Sequence, residues 1–339
     1  ILPVVISGGR PELKQRVTAK HLPDLHGIMP EPVWVVRDDD APQYEDDGHE
    51  ISVYTREWSY SHARDHWTGI DPLVAGESFL GAFCGREWAC RLAEERGYWA
   101  VLQLDDNIYR LCIGRRHTAV SVRITQDEGG LGMFADMLAA VTLSTNGVMT
   151  GAFLASVPPS DRKIVVSRTG FPYSLFLERT GPGREAWYGP HEDDITHAYQ
   201  YGNSPGTAAP LLIPMINYLK EHGSSTGMRK NYDSRRSVTL QRMFPQTAKI
   251  GVKATKSNGK GGPRVFHSMS AGAIRTPMII TDHDLYGRVS SYLTGLLNRF
   301  ARENREALAV KADARAVAAR AVVAAAAEPV QVITAGTGV

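Results

Sequence analysis

Long apolar runs are absent from this 339-residue chain, and no stretch approaches the roughly 18 consecutive apolar residues of a membrane-spanning helix. Cysteine is scarce: Cys84, Cys90 and Cys112 are the only three. An odd count without regular spacing excludes a disulfide scaffold and suits a reducing compartment. Cys84 and Cys90 lack the Cys-x-x-Cys spacing of a structural zinc site. Neither a secretory signal pattern nor an internal repeat is present. The motifs of helix-turn-helix and zinc-finger DNA readers are missing too. His191-Glu192-Asp193-Asp194-Ile195 is not the His-Glu-x-x-His of a zinc protease. What these absences leave is a globular, cytoplasmic protein without a membrane partner.

What is present is unevenly charged. Residues 220–264 hold eleven Lys/Arg against two Asp/Glu, within a chain of net charge +2, so the remainder carries a surplus of seven negative charges. A basic block on an acidic body points to a polyanion such as nucleic acid. The same composition also describes a solvated loop. Within the block, Arg229, Lys230, Arg235 and Arg236 surround Tyr232. Lys and Arg neutralise phosphates and a Tyr ring stacks on a base, so contacts there would be largely to the backbone.

The remaining pattern alternates short apolar runs with polar tips. Leu2–Ile6 ends in Ser7-Gly8-Gly9-Arg10, Pro32–Val36 in Arg37 and Asp38-Asp39-Asp40, and Ile51–Tyr54 in Thr55-Arg56. This is the rhythm of an open α/β sheet, whose ligands bind beyond the carboxyl ends of the strands. A helix is expected over Gly85–Gly97, with Trp88, Leu92 and Ala93 inward and Arg86, Glu87, Arg91, Glu94 and Glu95 mostly elsewhere. Tyr98–Leu104 then reads as a buried strand running into Asp105-Asp106-Asn107. Further helices are expected over Leu131–Thr142, Ile195–Tyr201 and from Asp284 onward, further strands within Gly147–Leu177 and at Met278–Ile280, and long loops through the basic block. A boundary is expected near 283, with a helical extension over 284–339.

Four clusters carry candidate chemistry. Asp105, Asp106 and Asn107 are hard oxygen donors at a strand end, suited to Mg²⁺ or Mn²⁺, though such residues also favour plain turns. Asp38, Asp39 and Asp40 form a second acidic tip, able to accept hydrogen bonds from a nucleobase or ribose, or simply a solvated turn. Glu192, Asp193 and Asp194 open a helix, where acidic residues suit the dipole. One of them could deprotonate an attacking hydroxyl, helped by neighbours that raise its pKa. His267 or His283 could complete a metal shell, although a lone His is more often structural.

In this order, Ser7 to Arg10, Asp38 to Asp40, the Gly85–Gly97 helix, Leu102 to Asn107 and Gly189 to Asp194 resemble the nucleotide-sugar glycosyltransferases of the GT-A fold. More narrowly, the chain is similar to the TET-associated glycosyltransferases of bacteriophages. The resemblance implies a Rossmann-like α/β fold with a mixed central sheet, a basic insertion and C-terminal helices. It implies a UDP-sugar donor, a divalent metal and 5-hydroxymethylcytosine in DNA as acceptor, inside the host cytoplasm. Asp105 to Asn107 match the family's D-x-D-like motif, with Asn107 departing from it at the third position. Glu192 and Asp193 match the x-E-D motif that supplies the base, and Asp194 extends it. Ser7, Gly8, Gly9, Arg10 and Asp38 to Asp40 match strand ends that hold the nucleoside. Arg86 lies near a donor-binding helix position, and His267 matches a C-terminal metal ligand. A protein or small-molecule hydroxyl as acceptor, or a non-catalytic nucleic-acid-binding module, are the competing readings.

Overall fold

The computed structural model describes residues 1–8, 18, 30–44, 49–67, 82–114, 121–123, 130–154, 166–189, 192–203, 208–221, 237–238, 240–254, 263–268, 274–303 and 317. Along these the chain forms β1 (Leu2–Ile6), β2 (Val33–Arg37), β3 (Ile51–Tyr54), α1 (Arg56–Trp67), α2 (Ala82–Glu95), β4 (Ala100–Asp105), β5 (Ile108–Gly114), β6 (Ser121–Arg123) and α3 (Gly130–Ser144). It continues with β7 (Gly147–Leu154), β8 (Arg168–Thr169), β9 (Leu175–Arg179), α4 (Asp193–Asn203), β10 (Ala209–Lys220), β11 (Lys249–Ala254), β12 (Pro263–Ser268) and α5 (His283–Glu303). Among the described residues no helix is long and apolar enough to cross a membrane.

One large sheet organises the fold, in the order β3-β2-β1-β4-β9-β7-β10-β5-β6, with β8 also beside β10. β3, β2, β1 and β4 are parallel. β9 runs antiparallel between β4 and β7, and β10 is again parallel to β7. β5 and β6 close that side in antiparallel pairing. This is the expected α/β architecture with a mixed central sheet.

Strand alternation sends Val5, Leu102 and Leu104 into one core and Leu2, Val4, Ile6 and Val101 into the other. Phe83, Cys84, Ala89 and Ala93 of α2 cover the second core. Phe134, Leu138 and Val141 of α3, with Val289, Leu293 and Leu296 of α5, cover the first. Burial on both faces is why these strands read as unbroken apolar runs. The carboxyl ends of β1, β2, β4 and β10 therefore share one edge, where the polar tips collect.

The structure departs from expectation at several places. Gly97 ends α2 as expected, at φ +73°, with the Tyr98 amide donating to the Ala93 carbonyl at 2.9 Å. Arg86 and Glu87, however, are buried rather than turned to solvent, because each is fully paired with opposite charge. The basic stretch is not all loop: Lys220 ends a twelve-residue strand, and β11 and β12 pair antiparallel. β10 escapes notice because Pro210 and Pro214 argue against a central strand. The ladder accommodates them with register shifts after Ala209 and between Ile213 and Asn217. At Met278–Ile280 only an isolated bridge forms, Ile280 to Thr145. α1 was not expected from the sequence.

Candidate active site

The geometry is built outward from Arg86, which projects from α2 and is 3% exposed. Its Nη2 donates to Asp105 Oδ1 at 2.8 Å and its Nε to Asp193 Oδ2 at 2.8 Å. Its Nη1 reaches Gln103 Oε1 at 3.5 Å, and the rings of Phe176 and Trp187 lie 5.2 and 5.4 Å from the guanidinium carbon. A planar five-donor cation can span two carboxylates in this way, which an ammonium cannot. Arg86 thus joins the end of β4 to the first turn of α4. Burial works against its charge, but Asp105, Asp193 and Asp194 outweigh it and push the pKa up.

Asp105 is held from its other side as well. Lys220 Nζ donates to Asp105 Oδ2 at 3.2 Å and to Ser174 Oγ at 2.7 Å. The Asp105 amide donates to the Ser174 carbonyl at 2.8 Å. Burial would raise the Asp105 pKa, but the charges of Lys220 and Arg86 and hydrogen bonds from Ser174 and Lys220 hold it far below the ordinary carboxylate range. In the sequence Lys220 is simply the first residue of the basic block. Its signal was an apolar run, Leu211 to Leu219, ending on a charge, the same pattern as Leu102 to Asp105. Ser174 is buried at φ +43° and Glu192 adopts φ +55°. Non-glycine residues in this left-handed region concentrate at functional sites.

Asp106 follows β4 in the turn that leads to β5 and has partners of its own. The Ser7 hydroxyl donates to Asp106 Oδ2 at 2.6 Å, and with that proton committed, Tyr44 donates to Ser7 Oγ at 2.6 Å. This ties the end of β1 to the end of β4. Asn107 Nδ2 donates to the Glu221 carbonyl at 3.0 Å, while its Oδ1 is buried without a hydrogen-bond partner among the described residues. At the second acidic tip, Asp38 accepts from the Asp39 amide at 2.9 Å and the Arg56 amide at 3.1 Å, capping the start of α1. Asp39 pairs with Arg37 and with Arg56 Nη2 at 2.7 Å. The hydrogen bond from Arg37 lowers its pKa more than burial raises it. A Cβ on Gly8 would sit 3.7 Å from Asp40 Oδ2, so Asp40 is the member that faces the β1 tip.

Asp193 and Asp194 occupy the first turn of α4. Asp193 is clamped by Arg86; Asp194 Oδ1 accepts from the adjacent Ile195 amide at 2.8 Å. Burial, then the charges of Asp193 and Glu192, raise the Asp194 pKa well above normal, against the pull of Arg86 and Lys220. Gly9, Arg10, Arg229, Lys230, Tyr232, Arg235 and Arg236 lie outside the described residues. The backbone of His267, in β12, pairs with that of Ile250 in β11. His283 starts α5.

No three His, Cys, Asp or Glu side chains converge on a metal position among the described residues. The donor chemistry at the β4 tip still suits a hard cation. Asp105 supplies carboxylate oxygens, and Asn107 Oδ1 is a buried oxygen with no hydrogen-bond partner among the described residues. Asp106 beside them accepts from Ser7 through Oδ2.

Beneath the site lies a buried polar network. Glu178 on β9 accepts from His197 Nε2 at 2.6 Å, Trp187 Nε1 at 2.8 Å, Tyr201 Oη at 2.9 Å and Gln103 Nε2 at 3.3 Å. Burial would raise its pKa; the charge and hydrogen bond of His197 reverse that and lower it. These bonds seat α4, and with it Asp193, on the sheet. Glu178→Gln keeps the shape but sets two donors against each other, so urea unfolding should show a loss of about 1–3 kcal/mol. The contribution of Glu178 is complete above the unfolded-state pKa of about 4.3 and is lost as pH falls through its lowered native value. The deficit of the variant should therefore shrink in acid; a pH-independent deficit would reject the ionised pair.

No protein-family model matches the chain. No curated protein matches it either. Among solved structures, glucosyl-3-phosphoglycerate synthase from Mycobacterium tuberculosis, in complex with Mn²⁺, UDP and phosphoglyceric acid, is similar at 10% identity. That match has a TM-score of 0.36 and covers 79% of this chain and 87% of that one. A mycobacterial protein is similar at 9% identity and TM-score 0.38, covering 79% and 82%. S. aureus TarS 1-349 is similar at 10% identity and TM-score 0.35, covering 71% and 66%.

Proposed function

We propose that the chain transfers a hexose from a UDP-sugar to a hydroxyl, with 5-hydroxymethylcytosine in DNA as the acceptor. The observation that carries this reading is the Arg86 bridge, which fixes a strand-end carboxylate, Asp105, against the acidic first turn of α4. A donor diphosphate and an acceptor base need that proximity. The nucleoside lies over the tips of β1 and β2, near Ser7, Gly8 and Asp40. Asp105 and Asn107 Oδ1 are the residues to hold a divalent metal, which when bound neutralises charge on the departing diphosphate. The acceptor oxygen attacks the anomeric carbon from the face opposite the diphosphate, the bond from that carbon to the diphosphate oxygen breaks, and the acceptor proton passes to a carboxylate of α4. UDP leaves, and the configuration inverts.

Asp194 fits the base better than Asp193. Asp193 is ion-paired with Arg86, which fixes its direction, whereas Asp194 is tuned upward. The DNA acceptor rests on the basic block and the family resemblance. A cytosine in a duplex would have to leave the stack to reach the site.

The decisive experiment incubates the protein with Mn²⁺, a panel of UDP-sugars and hydroxymethylated DNA, and analyses the digested nucleosides by mass spectrometry. A hexose added to 5-hydroxymethylcytosine is expected. UDP-sugar hydrolysis with no modified nucleoside would reject DNA and leave the donor half standing. Neither hydrolysis nor transfer would reject the transferase. Neutralising Arg229, Lys230, Arg235 and Arg236 together should cut DNA affinity and its salt dependence while sparing UDP-sugar hydrolysis.

A further inference from the structure

Lys220 stands at the carboxyl end of β10 through a specific device. The β10–β5 ladder shifts register between Leu219 and Lys220, so that Leu219 opposes Arg110 and Lys220 opposes Ile108. Such irregularities re-aim a side chain at the end of a strand. Here the ammonium is delivered to Asp105 Oδ2 at 3.2 Å and to the hydroxyl of Ser174, itself held in a left-handed conformation. The Asp105 carboxylate therefore carries two cations, Arg86 on one oxygen and Lys220 on the other. Their settings differ. Arg86 is 3% exposed and locked to Asp193, while Lys220 keeps 21% exposure on a flexible four-carbon stem. One cation is fixed and the other can move.

Building on the reading of the site as a UDP-sugar transferase, we propose that Lys220 is an exchangeable counter-ion. It occupies the outer oxygen of Asp105 while the donor is absent. It gives that oxygen up to the divalent cation that arrives with the diphosphate, and its ammonium turns onto the β-phosphate. An ammonium suits this exchange because it is a compact point charge with three rotatable donors, indifferent to whether its partner is carboxylate or phosphate. Two consequences separate this role from a purely structural ion pair. Lys220 competes with the metal for Asp105 in the free protein, and it adds to diphosphate affinity in the loaded one.

The test uses the full chain, its Lys220→Met and Lys220→Gln variants, and three probes: Mn²⁺ alone, followed by the electron paramagnetic resonance of the free ion, and UDP and uridine, each titrated calorimetrically with Mn²⁺ present. Thermal melts identify which variant is folded. Either folded variant should bind Mn²⁺ alone about ten-fold more tightly than the parent, since a like charge next to the site is gone. It should bind UDP about ten-fold or more weakly, through loss of a charge-assisted bond to phosphate. Uridine affinity should not change, and Lys220→Arg should restore part of the UDP affinity. Unchanged or weaker Mn²⁺ binding in folded variants overturns the exchange, and unchanged UDP binding overturns the phosphate role. If the parent itself binds no UDP with Mn²⁺, the transferase reading fails and this inference falls with it.

Discussion

Arg86→Met should unfold about 3–5 kcal/mol more easily than the parent in urea, and should show no measurable sugar transfer. The magnitude follows from what the substitution leaves behind. Arg86 is nearly fully buried and satisfies Asp105 and Asp193 at 2.8 Å each. A methionine fills much of the space beside the stacked rings of Phe176 and Trp187, so packing loss is small and the experiment isolates charge. Asp105 would keep Lys220 as a counter-ion, but Asp193 would lose the ion pair that fixes it. Removing one partner of a buried pair costs more than the pair itself contributes, because the remaining charge stays desolvated. Arg86→Lys should recover part of the stability and little of the activity, since one ammonium cannot span both carboxylates. Stability of Arg86→Met within about 1 kcal/mol of the parent would mean the bridge is a surface-like pair. Transfer that survived would mean the two carboxylates do not act together.

The bridge also measures how far the site was legible in the sequence. The end of β4 was visible because a parallel strand buried on both faces is an apolar run, and Asp105 interrupts it abruptly. Helical periodicity, by contrast, placed Arg86 and Glu87 away from the core face, since it treats charge as a marker of solvent. The structure buries both by supplying partners from distant segments: Asp105, Asp193 and Arg184. No local pattern encodes such pairing. Asp105 closes β4 and Asp106 opens the turn after it, so these sequence neighbours take different partners. One consequence is that Asp106 serves the Ser7–Tyr44 tie and Asp105 the charged cluster. Lys220 follows an apolar run interrupted by Pro210 and Pro214, residues uncommon in a central strand, which disguises the element that delivers it. The acidic tips are legible in the sequence because they fall at carboxyl ends of strands or at a helix start.

Asp194→Asn should lower the rate of transfer by about 10²–10⁴-fold, the range typical of losing a positioned general base, with little change in UDP affinity. The residue is suited to this by its surroundings rather than its identity. Burial and the charges of Asp193 and Glu192 raise its pKa, which moves a carboxylate toward the basicity useful near neutrality. The sign of the pH dependence follows. The base must be unprotonated, so kcat/KM in the parent should fall as pH drops through this raised pKa, well above the ordinary aspartate value of about 3.9. Asp194→Asn should remove that acid limb. The effect on folding has the opposite direction: a carboxyl with a raised native pKa binds protons more readily when folded, so its contribution favours the unfolded chain as pH rises between the two values. Asp194→Asn should therefore be neutral or stabilising at pH 7 while inactive, a combination that a structural role would not produce. Asp193→Asn supplies the contrast. It breaks the Arg86 pair, so it should cost stability and reduce transfer while keeping the acid limb. If instead the limb vanished in Asp193→Asn and persisted in Asp194→Asn, the base would be Asp193, and the Arg86 clamp would be what directs it at the acceptor.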